Sequence, residues 1–170
     1  MITCTRRGRN KFCEDERVLD IHPLDQNAPG LAQRLESLTA RTRRAILSKA
    51  CLRAASGVAG LEERTGELVR AIQSGGGLSL EQAKQAMSLA DVADNKYFEL
   101  HQRSAVAEAW LKVFSEARLL TGMAIAFGAV PTQGAADAVY ELSKSCPDPE
   151  SLLCFIDSEI DLAGKLDGLN

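Results

Sequence analysis

The stretch LEQAKQAMSLADVADNKYFELHQRSAVAEAWLKVFSEARLLTGMAIAF, Leu80 to Phe127, decides the fold of this chain. It contains no proline, and no glycine before Gly122. Alanine, leucine, glutamate, glutamine, lysine and arginine dominate it, and these residue types lose least on entering a helix. Ser79 and Gln82 stand at the spacing of a capping box, and Gly75-Gly76-Gly77 breaks the chain just ahead. Ala83, Ala86, Ala90, Ala93, Tyr97, Leu100, Ala107, Leu111 and Phe114 then recur at 3–4 spacing. A second stripe of Val106, Trp110, Val113, Ala117 and Leu120 widens the apolar face. Two stripes predict a helix packed on more than one side, as in a bundle core. The expectation is one long central helix, about 80–127. Unbroken from 80 to 120 it would run roughly 60 Å at ~1.5 Å per residue. That is long for a 170-residue chain, and Asp94-Asn95 and Gln102–Ser104 are where it would kink.

Downstream, Gly128 and Pro131 stop the pattern, and Pro131 suits the first turn of a helix over 132–144, with Ala135, Ala138, Val139 and Leu142 inward. Asp148 as N-cap and Pro149 at the first helical position open a last helix, 149–162, carrying Leu152, Leu153, Ile156 and Ile160 on one face. Upstream, apolar spacing predicts helices over 31–55 and 60–73, parted by Gly57 and Gly60. Residues 1–29 differ in composition. A basic tract, Arg6 to Lys11, precedes acidic Glu14 to Glu16, and Pro23 and Pro29 interrupt regular structure. This segment reads as polar, extended or partly disordered, with room for one short strand at Val18–Ile21. The fold class is therefore all-α: a single-domain bundle of five or six helices over 30–170, behind an N-terminal segment.

Composition excludes several function classes. The formal charge of −3 supplies no general attraction to nucleic acid or to an anionic membrane. No apolar run reaches the ~18–20 residues of a membrane span, so no membrane partner is expected. The five cysteines are odd in number, none forms a CxxC pair, and the N-terminus has no apolar leader. Reduced thiols and a cytoplasmic location are the expectation.

Chemistry-bearing motifs are few. The two histidines, His22 and His101, lack ligand spacing, because Phe98 stands where a Glu-x-x-His pair needs glutamate. No GxSxG occurs, and the glycine run lacks the GK[ST] of a phosphate loop. No catalytic residue, metal or cofactor is expected, and Cys51 reads as a buried, inert thiol. Leu78 to Arg103 makes a poor helix-turn-helix: no glycine falls near Met87–Ala90, and Asp91 and Asp94 would oppose phosphate.

Two constellations remain. Arg41, Arg43, Arg44, Lys49 and Arg53 form a basic strip on one helix. Such a strip grips phosphate or an acidic partner, or is a solvated face, or one paired with Glu62, Glu63 and Glu67. Tyr97, His101, Trp110 and Phe114 are the candidate lining of a pocket. The alanine-rich segment Leu119 to Val130 and the central stripe are candidate contact surfaces. The reading that follows is a non-enzymatic helical protein–protein interaction module, an adaptor, chaperone-like binder, inhibitor or regulatory subunit. Its partner is another protein or a second copy. The alternatives are a nucleic-acid-associated regulator using Arg41–Arg53, and a small-ligand-binding or enzymatic bundle using the aromatic face.

Overall fold

A computed structural model describes residues 22–103 and 106–167. The basic tract Arg6–Lys11, Cys4, Cys13 and the strand expected at Val18–Ile21 lie outside the described residues. The described chain is the expected all-α bundle. A 3₁₀ turn, Pro23–Gln26, precedes α1 (Leu31–Ser37), α2 (Ala40–Gly57), α3 (Glu63–Gln73), α4 (Leu80–Gln102), α5 (Ala107–Ala126), α6 (Ala135–Ser145) and α7 (Pro149–Asp167).

The central stretch is two helices, not one. α4 ends with Arg103 as C-cap, its N–H donating to the Glu99 carbonyl, and α5 opens after Val106. The break falls at the second of the two positions named for a kink. Tyr97 meets Trp110 and Phe114, and Asp94 reaches Arg118, so the two helices run antiparallel as a hairpin. Each is within about 35 Å at ~1.5 Å per residue, which resolves the length problem of a continuous rod. The start of α4 is as expected: Ser79 Oγ accepts from Gln82 N–H at 3.2 Å, and Gln82 Oε1 accepts from Ser79 N–H at 2.9 Å.

Seven α-helices form among the described residues where five or six were expected, α3 starts at Glu63 and α7 runs on to Asp167, and three further differences have local causes. The helix read over 31–55 is split, because Leu38 is extended and Thr39 starts a new helix by accepting from Thr42 N–H. The helix expected from 132 starts at Ala135, where Asp137 Oδ2 accepts from Gly134 N–H at 2.8 Å and fixes the first turn. Residues 22–29, read with the extended N-terminal segment, are packed: Leu24 is fully buried. His22 holds that turn, with Nδ1 accepting from Leu24 N–H and Nε2 facing Asp137 of α6 at 3.2 Å.

One core joins the helices. α2 contributes Ile46, Leu47, Ala50, Cys51, Ala54 and Ala55, and α7 adds Leu152, Leu153, Ile156 and Ile160. α5 and α6 approach closely at Gly122, where an added Cβ would lie 2.7 Å from Leu142 side-chain carbons and 3.1 Å from its backbone nitrogen. The alanine-rich segment Leu119–Val130, read as a contact surface, is instead largely core. Leu119, Leu120, Gly122 to Ile125 and Phe127 are buried between α4 and α6. No helix among the described residues is long and apolar enough to cross a membrane.

Candidate functional site

Burial divides the α4–α5 hairpin in two. Ala83, Ala86 and Ala90 are the buried residues of α4, and all precede Asp91. The buried residues of α5 begin only at Glu116. No residue of the outer half, Asp91–Gln102 and Ala107–Ser115, is buried. Small alanines of α4 at the base permit close approach to the larger Leu119, Leu120 and Met123 of α5.

The candidate pocket residues come together there. Tyr97 stacks on His101 at 5.8 Å between ring centroids and meets Trp110 at 5.9 Å and Phe114 at 5.4 Å. His101 meets the Trp110 ring edge-on at 5.6 Å, and Phe98 joins Tyr97 at 5.2 Å. The rings fill the space between the helices with one another, in the offset and edge-to-face geometries that aromatic pairs prefer. They form a clasp between the two helices near the connection that joins α4 to α5.

At its inner edge the clasp meets a charged tie. Arg118 donates Nη2 to Asp94 of α4 and Nη1 to Glu141 of α6 at 3.0 Å, and its guanidinium lies over the Phe114 ring. Burial works to lower the Arg118 pKa, yet hydrogen bonds and attraction from Asp94 and Glu141 carry it above its ordinary value. Asp94 is therefore a structural partner. Glu108, the other acid beside the apolar stripe, is exposed.

Outside the clasp the outer half exposes large apolar groups. Phe98 is 57% exposed, Val106 75% and Leu111 47%. Val106 and Leu111 line a groove of about 680 Å³ with Val58, Ala59, Ala109 and Pro147.

The basic strip lies on α2 and makes contacts with neighbouring elements. Arg43 pairs with Glu36 at 2.9 Å and also donates to the Glu36 and Leu38 carbonyls. Arg44 donates to the Leu78 carbonyl and covers the Phe127 ring, and Lys49 pairs with Glu159 of α7 at 2.6 Å. Arg53 donates to Ser151 Oγ and lies over Phe155. Four cations thus tie α2 to α1, α7 and the loop before α4, and the partners are not Glu62, Glu63 and Glu67. Arg41 is exposed.

Cys51 is fully buried in α2, whereas His101 is exposed at the end of α4, so the two form no nucleophile–base pair. Desolvation pushes the Cys51 thiol up to about 12, against the thiolate form a nucleophile requires. Burial likewise raises Cys146. Among the described residues, no three His, Cys, Asp or Glu side chains gather in an arrangement that could hold a metal ion. No protein-family model, curated protein or solved structure matches this chain.

Proposed function

We propose that this chain is a non-enzymatic helical interaction module whose contact surface is the outer half of the α4–α5 hairpin. One observation carries the reading: Val92, Phe98, Val106 and Leu111 remain 65%, 57%, 75% and 47% exposed on the outer half of one hairpin. Isolated exposed apolar residues are ordinary, but several large ones on one projecting element mark a surface that another protein covers. Aromatic groups held rigidly beneath them keep the surface preformed, which lowers the ordering cost of binding. The partner is a protein presenting an apolar face, from a second chain type or from a second copy.

A triple substitution, Phe98→Ser, Val106→Ser and Leu111→Ser, tests this. Exposed positions usually change stability by no more than about 0.5 kcal/mol each, so the variant should melt close to the parent. The parent should retain a partner from an extract of its native source, or self-associate in sedimentation velocity, and the variant should lose that complex. A complex retained by the triple variant would contradict the proposal, as would a parent that stays monomeric and retains nothing.

A further inference from the structure

A second feature of the bundle, independent of the outer surface, concerns Glu116. It is 5% exposed, and no cation stands in ion-pair range of it among the described residues, although Arg34, Arg43, Lys49, Lys96 and Arg118 all hold carboxylates. Its Oε1 accepts from the Glu62 backbone N–H at 2.9 Å, at the N-terminus of α3, where Glu62 makes no side-chain cap. That bond accounts for one lone-pair site of about four on a carboxylate. A buried carboxylate satisfied so sparsely is costly unless something else meets it.

Glu116 is aimed at a space. It lines a cavity of about 170 Å³ between α3, α4 and α5, with Thr65, Leu89, Val113 and Leu120 among the walls. Thr65 is itself 2% exposed. Oε2 of Glu116 and the Thr65 hydroxyl have no protein partner among the described residues, and both are reached from the cavity and not sealed in protein. The Lys96–Glu62 pair, 3.1 Å apart and exposed, sits at the mouth. Lys96 is thus engaged with Glu62; exposed Arg64 also lines the cavity, and the other walls offer the Glu116 carboxylate, the Thr65 hydroxyl and aliphatic groups.

We infer that this cavity is a binding site for a small primary alkylammonium. An ionised carboxylate only accepts hydrogen bonds, so it selects a donor. An ammonium brings three donors and a positive charge within reach of Glu116, which neither Arg64 nor Lys96 of the lining pairs with, one donor for Glu116 Oε2 and one for the Thr65 hydroxyl. Its alkyl body lies against Leu89, Val113 and Leu120. At ~30 Å³ per water-sized group, the space holds about five heavy atoms, the size of butylammonium.

Titration of the full chain with n-butylammonium chloride, followed by methyl NMR, tests the inference against n-butanol, sodium butyrate and sodium chloride at matched concentration. Butylammonium should give saturable shifts at the Val113 and Leu120 methyls. Butanol should bind about ten- to hundred-fold more weakly, since it brings no charge to the carboxylate and a charge-assisted hydrogen bond contributes about 1.5–3 kcal/mol. Glu116→Gln keeps an acceptor for the Glu62 N–H but removes the charge, and should abolish the preference for the amine. Ala93→Leu fills the cavity from α4 without touching Glu116, and should abolish saturable binding in a folded protein, which keeps the test open if Glu116→Gln does not fold. Equal response to amine and alcohol, unsaturable shifts, or unchanged binding in Ala93→Leu would overturn the site and leave a hydrated carboxylate.

Discussion

At the scale of single residues, Arg118 and Cys51 carry the sharpest consequences. Arg118 neutralises both Asp94 and Glu141, tying three helices at the inner edge of the aromatic clasp. Arg118→Met would leave two acids facing each other. Removing one partner of a buried pair costs about 3–5 kcal/mol, and with 20% of this side chain still exposed a loss nearer ~2 kcal/mol is expected in urea unfolding. Arg118→Lys should recover only part, because an ammonium lacks the fork that reaches two carboxylates; full recovery would show that charge alone suffices. Cys51 adds a pH signature. Folding favours its neutral thiol, raised from 9.0 to about 12, so the unfolded chain releases a proton above pH 9 that the folded chain keeps. The contribution is complete below pH 9 and is lost on the way to about 12, with a slope of up to about 1.4 kcal/mol per pH unit. Cys51→Ala should flatten the fall in stability above pH 9 relative to the parent; equal slopes would contradict the assignment. Cys51 was legible as an inert thiol because it falls among helix-face positions. Glu116 was not, since nothing around E116 in the sequence signals that Glu62, 54 positions away, would meet it.

At the scale of elements, the legible features were those written locally. The Ser79–Gln82 box and the Asp148–Pro149 start both appear as read, with Asp148 Oδ1 accepting from Ser151 N–H at 3.0 Å. The break between α4 and α5 was legible only as one of two places, because no glycine or proline marks it and packing of the aromatic clasp decides it. The 3–4 register of the central stripe was read across that break, and this is why Leu111 and Val106, assigned to apolar stripes, emerge exposed. The split at Thr39 was missed although an N-cap threonine stands there, since the flanking apolar spacing masks it. The α5–α6 crossing depends on Gly122. Gly122→Ala would press a methyl group to 2.7 Å from Leu142 carbons, and overpacking of this kind costs about 1–3 kcal/mol; a variant as stable as the parent would mean that Leu142 yields freely. The clasp makes a separate prediction. Trp110→Ala should raise amide exchange in Asp91–Gln102 and Ala107–Ser115 well before it alters the base of the hairpin, because none of those residues is buried and Trp110 joins the two segments. Exchange raised uniformly through the bundle would show that the outer half is part of the global folding unit.

At the scale of the whole molecule, side chains are allotted between two tasks. The basic strip, the most conspicuous charge feature of the sequence, is largely spent on holding α2 against its neighbours. The apolar excess of the central stretch is spent twice, inside as alanine, leucine and methionine core, and outside as Phe98, Val106 and Leu111. Sequence periodicity identified the apolar face but could not tell which part of it tertiary packing would leave uncovered. The central claim is that this uncovered part is where a partner docks. Site-specific photo-crosslinking tests it most directly. A crosslinker replacing Phe98 or Leu111 should capture one defined partner, or a second copy, in the native source. The same group at exposed Arg41, or at exposed Ser158 on α7, should not. Capture from Arg41 or Ser158 equal to that from the hairpin, or none from Phe98 and Leu111, would contradict it.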